Sequence, residues 1–495
     1  MASKILNKLI EKGVLVSPTL LEKKVDENTV KEVVKFFGDD LDVLDEELIN
    51  KFKNKEKQIL IKKNYDNPPK KRTYKDFVRV FNIRFKKLST MLRKRQELQG
   101  IMNIRRIKDK DDREKVSLIG MIKDKNQSKN NHIILELEDP SDTVTVIIRK
   151  TDQNMDFWDE ANDLVLDEVI GVTGTWLSGA VFADTILYPD VPFNKELRKQ
   201  KEEEYMVCIG DTHFGSNVFM EEEWKKFMKW LNGEIGTKHQ RKIAKNVKYI
   251  IFTGDLVEGA GIYPGQEKDL AIEDIEKQYE VGAKWLQQVP KHIEMVATTG
   301  NHDAGRLAEP QMPPLKRYAS SLYKIPNLKL VSNPAVVNVG KTKNFPGFDV
   351  MLYHGGSLIY YSDAIPSIRS SGGQKQAGEI MKKLLQKRHL APSHGSTLYV
   401  PDSKEDHLLI QDVPDFLITG HIHRAAVKNY RNVTMINASC WTETTEDQIK
   451  RGLEPQPGRV PIVNLKTRKV GMMNFLSKQQ KQKEKEKVKK ATQVE

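Results

Sequence analysis

The sequence predicts a multidomain α/β (α+β) protein with a small helical module first, then a small β-barrel, and finally a layered domain of strands and helices. Three observations predict this class. The chain has 495 residues, too many for one hydrophobic core, so two to four domains are expected. Short β-branched runs crowd residues 116–192. From residue 203 onward, strand-like runs alternate with helical ones, which is the pattern of a layered α/β fold.

The N-terminal part predicts two segments. Residues 1–52 contain two stretches whose apolar residues share one helix face, among them Leu6, Leu9, Val30 and Val33, so they predict a small helical module. Its small core leaves both a docking role and a simple N-terminal extension open. Residues 53–75 are rich in charge and asparagine and contain Pro-Pro and a basic cluster, which predicts a linker.

Residues 76–192 predict one helix followed by a small barrel. Five apolar residues recur at a helical period and predict its buried face: Phe77, Phe81, Phe85, Leu88 and Leu92. The β-branched runs VSLIGMIKDK, HIILELEDP, TVTVIIRK and VIGVTGTW follow and predict the short strands of an OB-fold. Such barrels often stack nucleic-acid bases on aromatic side chains. Aromatics are scarce near these strands, so binding of DNA and docking of a protein are both open.

Residues 203–477 predict the layered domain. Strand-like runs occur at YMVCI, VKYIIF, HIEMVATT, FDVMLYH, DFLIT and VTMINA. Helical runs such as EEWKKFMKWL and DIEKQYEVGAKWLQQV separate them. The end of the chain, residues 478–495, is lysine-rich with few apolar residues, so we expect a disordered tail.

Composition narrows the class of partner and compartment. The formal net charge is +13, which favours a polyanion such as nucleic acid, although lysines that merely solvate the surface would give the same excess. The two cysteines, Cys208 and Cys440, offer no disulfide framework, which fits a reducing compartment. No run of 18 apolar residues and no secretory leader is seen. We therefore expect a cytoplasmic protein without a membrane segment.

Five short segments each place metal-binding side chains just after an apolar run. They are GDTHFG, FTGDLVEG, TGNHD, YHGG and GHIH, which supply Asp211, His213, Asp255, Asn301, His354, His421 and His423. Carboxyl ends of strands meet at one edge of an α/β sheet, so residues far apart in sequence can converge there. One such segment alone is usually a turn, a helix cap or a structural histidine. Their joint occurrence predicts a site for two divalent ions with Asp255 as the bridging carboxylate.

These motifs resemble the calcineurin-like metallophosphoesterase superfamily over residues 203–445. The resemblance implies a β-sandwich flanked by helices. It implies that one ion is held by Asp211, His213 and His423, and the other by Asn301, His354 and His421. His302 would then face the substrate as a catalytic group, and Asp303 would fix its tautomer, although a turn cap is the alternative for Asp303. Mixed nitrogen and oxygen ligands favour Mn²⁺, with iron, zinc and Mg²⁺ as alternatives.

Further strings resemble a narrower family, the small subunits of archaeal family-D DNA polymerases. They are KRHLAPSHG at 387–395, VPDFLITGHIHRA at 413–425 and INASCWTETTEDQ at 436–448. This resemblance implies a 3′–5′ proofreading exonuclease, a large polymerising partner subunit, and DNA with a single-stranded or mispaired 3′ end as substrate. A free-standing phosphatase or phosphodiesterase and a mainly structural subunit are the alternatives. Near the C-terminus, GMMNFLSK weakly resembles a sliding-clamp-binding peptide. We expect structural or surface roles for His394 and Arg306.

Overall fold

The fold is described from a computed structural model. It describes residues 59–477 except 68–69, 403, 445–447 and 449–452. Before that it describes residues 4–11, 13–18, 20, 30–31, 33–34, 41, 43–46 and 48–49. The chain divides into two compact units, one of residues 1–60 with 338–348 and the other of residues 61–337 with 349–495. The domain boundaries expected from the sequence stay predictions, and the tail at 478–495 lies outside the described residues.

The described N-terminal residues form a small cluster. Helix α1 spans Lys4–Glu11, and strands β1 (Leu15–Val16) and β2 (Val43–Leu44) pair in parallel. Apolar side chains bury one another there: Leu6, Leu9, Leu20, Val30, Val33, Leu44 and Ile49. The predicted helical module therefore has a core of its own, and the pair of short strands is an addition to the prediction.

Part of the predicted linker is structured. Strand β3 spans Leu60–Lys63, and the backbone amide of Tyr65 donates to the Ser332 hydroxyl at 2.8 Å. The Tyr65 side chain is buried, being 3% exposed. β3 is the outermost strand of its sheet, although only Leu60 and Ile61 in it are apolar, so the charged sequence around it predicted a linker.

A closed five-stranded barrel follows. Its five strands are β5 (Lys115–Gln127), β6 (Ile133–Glu138), β7 (Thr143–Ile148), β8 (Val169–Leu177) and β9 (Ala180–Leu187), with helix α4 (Met155–Asn162) among them. The short strand β4 (Ile101–Met102) and helix α3 (Ile104–Ile107) precede the barrel, and β4 pairs with β5. Neighbours run β5-β6-β7-β9-β8, and β5 pairs with β8 to close the barrel. β7 and β9 are parallel, and α4 lies between β7 and β8 in the chain. This is the order of an OB-fold, as predicted.

The helix before the barrel, α2 (Tyr74–Leu92), is rotated from the predicted face. It begins with a capping box between Thr73 and Asp76. Its fully buried residues are Asp76, Val80, Arg84, Leu88, Ser89 and Leu92, whereas Phe77, Phe81 and Phe85 are only half-buried. Arg84 can lie inside because its Nε donates to the Asp406 carboxylate at 2.8 Å. The hydrophobic period alone could not reveal an arginine in the core.

The third domain is built on two six-stranded sheets. The first has the order β13-β12-β11-β10-β19-β20 and the second β17-β18-β16-β15-β14-β3. The strands are β10 (Tyr205–Ile209), β11 (Val247–Phe252), β12 (Glu294–Ala297), β13 (Leu328–Leu330), β14 (Ala335–Val339), β15 (Phe348–Leu352), β16 (Phe416–Thr419), β17 (Ala426–Tyr430), β18 (Val433–Asn437), β19 (Arg459–Asn464) and β20 (Val470–Asn474). β10 to β13 are parallel, and so are β15, β16 and β18.

Helices cover these sheets. They are α5 (Glu221–Leu231), α6 (Lys238–Lys245), α7 (Ile275–Leu286), α8 (Lys316–Ala319), α9 (Leu358–Ala364), α10 (Pro366–Ser370) and α11 (Ala377–Lys387). One apolar cluster joins the first sheet to side chains of α5 to α8, and another joins the second sheet to those of α9 to α11. Every side chain of β10 is buried, as expected of a strand covered on both faces. The predicted α/β (α+β) fold class is confirmed. No helix among the described residues combines the length and apolar character needed to cross a membrane.

Candidate metal centre

The seven predicted ligands all follow strands of the two sheets. Asp211 and His213 follow β10, Asp255 follows β11, and Asn301 follows β12. His354 follows β15, and His421 with His423 follows β16. In all five strands the ligands follow the carboxyl end, where an α/β fold gathers polar side chains. The structure brings these side chains into two neighbouring groups.

The first group consists of Asp211, His213 and His423. One ligand atom of each lies within 4.8 Å of the others. His213 Nε2 is 3.3 Å from His423 Nε2, and His423 Nε2 is 3.6 Å from Asp211 Oδ1. This is the set that the resemblance assigned to one ion.

The second group is centred on His354. Its Nε2 is 2.9 Å from Asn301 Oδ1, 3.1 Å from His421 Nδ1 and 3.3 Å from Asp255 Oδ2. The same Asp255 Oδ2 is 3.9 Å from His213 Nε2 of the first group. Asp255 thus lies between the two groups, which is the position that a bridging carboxylate requires.

The spacing of these donors fits divalent ions. Two imidazole nitrogens bound to one ion at about 2.1 Å lie about 3.0–3.4 Å apart. The measured pairs fall in this range, at 3.3 Å between His213 and His423 and 3.1 Å between His354 and His421. The donors are imidazole nitrogens and carboxylate or amide oxygens, without sulfur, and this set suits catalytic Mn²⁺, iron or zinc.

The pKa shifts of the predicted ligands also indicate a site for positive charge. Burial would lower the pKa of both His213 and His354, but Glu258 beside His213 and Asp255 beside His354 outweigh it and raise these pKa values to about 9 and about 10. Burial, with Asp255 nearby, raises the pKa of Asp211 to about 7. Burial, with His354 nearby, lowers the pKa of His421 to about 3. The buried carboxylates stabilise positive charge at the centre, and a bound cation supplies that charge by displacing protons.

Five of the seven predicted ligands have left-handed backbone conformations. The φ angles are 45° at Asp211, 48° at His213, 50° at Asp255, 71° at His421 and 53° at His423. A non-glycine residue with positive φ is uncommon and costs of order 1 kcal/mol or more. Such strain persists only where the surrounding structure enforces it, and it clusters at functional sites. The same sharp turns at the strand ends aim these side chains back over the sheet edge.

Two glycines allow the chains to approach closely. A Cβ atom on Gly300 would lie 2.2 Å from Asp255 Oδ1, and one on Gly420 would lie 2.6 Å from Asp211 Oδ2. Any larger residue would push a ligand carboxylate out of place. This explains why glycine precedes the ligand in both TGNHD and GHIH.

The imidazole of His354 is held from behind. Its Nδ1 lies 2.8 Å from the carbonyl oxygen of Thr253, and its backbone amide donates to Asn333 Oδ1 at 2.8 Å. A carbonyl can only accept, so Nδ1 carries the hydrogen and Nε2 is left to face the centre. Contacts of this kind fix the tautomer of a metal-binding histidine.

Glu258 was not predicted from the sequence. Its carboxylate lies 3.0 Å from His213 Nδ1, so it orients the ring in the way carboxylates commonly do behind metal-binding histidines. Its backbone carbonyl lies 2.7 Å from His302 Nδ1. The available signal was its position in FTGDLVEG, three residues after Asp255, but an acidic residue in a loop is too common to single out.

His302 and Asp303 occupy different places. The His302 ring lies at the centre, with its centroid 4.7 Å from that of His213, and its backbone amide donates to Asp255 Oδ1 at 2.8 Å. The Asp303 carboxylate accepts hydrogen bonds from the amides of Gly300 and Leu256 and from the Tyr279 hydroxyl. His302 Nδ1 therefore has the Glu258 carbonyl oxygen as its partner, and the Asp303 carboxylate has backbone amides as its partners. A role for Asp303 in orienting His302 stays a prediction.

Two other residues named in the sequence analysis have local partners. The Arg306 guanidinium donates to the carbonyl oxygen of Pro310 through Nε at 3.0 Å, and it stacks 4.8 Å from the centre of the Tyr65 ring. The backbone amide of His394 donates to Asp167, and its ring contacts Phe77 and Tyr399. His394 does not belong to any of the converging ligand groups found among the described residues.

Comparison with known proteins identifies the fold and the family. The family model described as calcineurin-like phosphoesterase matches residues 206–425, a segment that contains all seven predicted ligands. The DNA polymerase II small subunit of Methanothermobacter thermautotrophicus is 40% identical over 390 residues, covering 79% of this chain and 77% of that protein. The chain belongs to the family of DNA polymerase II small subunits. The resemblance predicted from the sequence is confirmed.

Other members of the small-subunit family are similar to the same extent. The member from Archaeoglobus fulgidus is 40% identical over 387 residues, covering 78% of this chain and 74% of that protein. The member from Methanocaldococcus jannaschii is 36% identical over 397 residues, covering 79% and 64%. Membership in the small-subunit family implies a large catalytic subunit as the partner of this chain.

Proposed function

We propose that this chain is a 3′–5′ exonuclease that removes mispaired nucleotides from a DNA end for its polymerase. The observation that carries the proposal is the pair of ligand groups that share Asp255. Two such groups suit the hydrolysis of a phosphodiester, because two cations can hold the attacking and the leaving oxygen of one in-line displacement. The net charge of +13 supports a nucleic acid as the substrate.

The residues would divide between two ions. Asp211, His213 and His423 would hold one, Asn301, His354 and His421 the other, and Asp255 both. When bound, the ions would supply a water activated near neutral pH and positive charge for the phosphate oxygens. We propose Mn²⁺ as the activating ion, because Mg²⁺ prefers an octahedron of oxygen ligands, which this imidazole-rich set does not offer.

His302 would act as the general acid that protonates the leaving oxygen of the substrate. Its Nδ1 donates to the Glu258 carbonyl, so Nε2 is left to accept a proton from the site and pass it to the leaving oxygen. In this reaction the bond between phosphorus and the 3′ oxygen of the upstream nucleotide breaks, and the terminal nucleotide leaves with a 5′-phosphate. Glu258 holds both His213 and His302 in place for this step.

The direct test compares DNA ends. We expect a primer with a mispaired 3′ end to be shortened faster than a fully paired one, because the end must separate from its template before it enters a buried centre. The primer carries a 5′ label, and its products are resolved by length in the presence of Mn²⁺. A ladder that shortens from the 3′ side supports the proposal.

Other outcomes favour the alternatives. Early release of the 5′ label, or hydrolysis of phosphomonoesters alone, would indicate a different phosphoesterase. No hydrolysis with any divalent ion, by the chain alone or with its large subunit, would leave the structural role as the better account.

We expect His302→Ala to separate catalysis from ion binding. The variant should hydrolyse the mispaired primer about 10²–10⁴-fold more slowly, the usual contribution of a positioned acid–base group. Its metal content, measured on the purified protein by mass spectrometry, should stay at the wild-type level. The loss of one ion would make His302 a ligand, since His213, Asp255 and His302 also form a group within 4.8 Å of one another.

We expect the chain to form a stable heteromer with the large subunit. Co-expression followed by size-exclusion chromatography with light scattering should give one peak with the summed mass. A chain ending at residue 477 should join it equally well, because the lysine-rich tail has too little apolar area to drive association. Two separate peaks at micromolar concentration would contradict the expectation.

The segment that resembles a clamp-binding peptide has a structural role. Residues 471–474 belong to β20, which pairs with β19, and Phe475 is 7% exposed against Phe227. A clamp contact through this segment would require the strand to leave its sheet. We therefore leave the sliding clamp out of the proposal.

A further inference from the structure

One exposed aromatic side chain lies beside the catalytic centre. The ring of Tyr263 is 40% exposed, and its centroid is 6.4 Å from that of His302 with an angle of 63° between the planes. His302 itself lies against His213 and Asp255. An exposed aromatic ring thus lies next to His302, the residue that we propose to contact the reacting phosphate.

The ring of Tyr263 is held in a defined orientation. Its hydroxyl donates to Asp269 Oδ2 at 2.8 Å, so the polar end has a partner and the ring can offer a face. A tyrosine fixed in this way loses little conformational entropy when it contacts a ligand.

The loop of residues 258–272, which carries Tyr263, is held in shape by contacts other than this ring. Gln266 accepts from the Ile262 amide at 2.9 Å and donates to the Glu258 carbonyl at 2.9 Å. The buried Gln278 accepts from the Gly259 amide at 2.8 Å and donates to the Ile272 carbonyl at 2.7 Å. These side chains tie the loop to its surroundings from inside. An exposed ring at its tip is therefore free for another role.

We propose that Tyr263 stacks on the base of a nucleotide that flanks the scissile phosphate. This inference rests on the proposed nuclease function and names the part of the substrate that the site recognises beyond the phosphate. Every base offers a flat π-face, so stacking suits a nuclease that must accept any sequence. Only an unpaired, unstacked base can reach such a ring, so the contact also favours frayed over paired ends.

The test compares substrates with and without the base. Three 5′-labelled single strands are used: an intact one, one whose terminal nucleotide is abasic, and one whose penultimate nucleotide is abasic. We expect Tyr263→Ala in the full chain to lower kcat/KM on the intact strand by roughly 5- to 150-fold, the range for stacking one base. On one of the two abasic strands the loss should be less than about twofold, because the contact is already missing.

Two further variants separate stacking from other effects. Tyr263→Phe keeps the ring and should recover most of the activity that alanine loses. Tyr323→Ala removes a ring of similar exposure, 43%, from the short 3-10 helix Leu322–Lys324 and should match the wild type. Equal losses by Tyr263→Ala on all three strands, or an equally inactive phenylalanine variant, would overturn the inference.

A binding measurement keeps this inference apart from the nuclease proposal. A fluorescent pentanucleotide is titrated with each variant in EDTA, and anisotropy reports the affinity. Tyr263→Ala should bind the intact pentanucleotide more weakly than the wild type. If this difference in affinity disappears when the base is removed, the result supports stacking even if no strand is hydrolysed. Hydrolysis of the intact strand at the wild-type rate by Tyr263→Ala, with unchanged binding, would refute stacking and leave the nuclease proposal standing.

Discussion

Asp255→Asn should abolish hydrolysis of the mispaired primer and reduce the bound metal from about two ions per chain to one or none. Asp255 Oδ2 lies 3.3 Å from His354 Nε2 and 3.9 Å from His213 Nε2, so one carboxylate serves both ligand groups. Asparagine keeps the size of the side chain and removes its charge. Without that charge, two cations at the proposed site would be held less tightly and would repel each other more strongly.

The expected loss of rate is large. Two-ion catalysis stabilises the transition state by several kcal/mol, and each 1.36 kcal/mol is a factor of ten, so we expect a loss of about 10³-fold or more. Steady-state rates and metal analysis are measured on the same preparation. Asp184→Asn is the matched control, because that carboxylate is exposed on β9 and pairs with Lys115 across the barrel surface. Activity within tenfold of wild type, in a folded variant, would refute the role of Asp255.

Arg84→Met should destabilise the protein by about 3–5 kcal/mol, the cost of leaving one member of a buried ion pair alone. The side chains of Arg84 and Asp406 are 2% and 4% exposed, with 2.8 Å between Arg84 Nε and Asp406 Oδ2. The same oxygen lies 2.9 Å from His389 Nε2. Arg84→Met removes the guanidinium and leaves the buried carboxylate with His389 and the Leu408 amide but without a cationic partner on α2.

Urea unfolding measures the effect, and Arg79→Met is the matched control. Arg79 lies on the same helix but is 60% exposed, so its replacement should change stability by less than about 0.5 kcal/mol. A loss below 1 kcal/mol for Arg84→Met would contradict the prediction.

The loss in the free energy of unfolding caused by Arg84→Met should become smaller as the pH falls. Burial opposes ionisation of Asp406, but His389 and Arg84 outweigh it and hold the pKa of this carboxyl far below its usual range. A carboxyl whose pKa is lowered by folding stabilises the folded state above its unfolded pKa of about 3.9, and this contribution fades as the pH falls toward the folded pKa. In the variant the carboxyl takes up a proton more readily. The difference in the free energy of unfolding between variant and wild type should therefore narrow as the pH falls from the folded pKa of the variant carboxyl toward that of the wild type.

The sequence predicted which side chains converge at the candidate metal centre better than it predicted the contacts around them. Each ligand follows an apolar run, and topology alone brings the ends of such runs together, so Asp211, Asp255 and His354 could be named without coordinates. Glu258 could not, because its role comes from the bend that returns its side chain to His213. Arg84 was missed for a similar reason, since its partner Asp406 is more than three hundred residues away in sequence.

Strands that depend on distant partners were also harder to predict. β19 and β20 complete the first sheet next to β10, but their sequences carry no motif, and the pairing of β19 with β10 crosses more than two hundred residues. β3 has only two apolar residues and lies inside a charged segment. In each case the deciding energy comes from tertiary pairing and not from local preference.

The left-handed backbone at five ligands has a consequence for the evolution of this family. Asp211, His213, Asp255, His421 and His423 hold a conformation that aspartate and histidine adopt more often than most residues but less freely than glycine. If the centre binds ions as proposed above, selection for the ions would keep these residues despite the conformational cost. In a descendant that did not need the ions, glycine or asparagine at these turns would lower that cost. The turns would then be positions where the centre could change at a gain in backbone freedom.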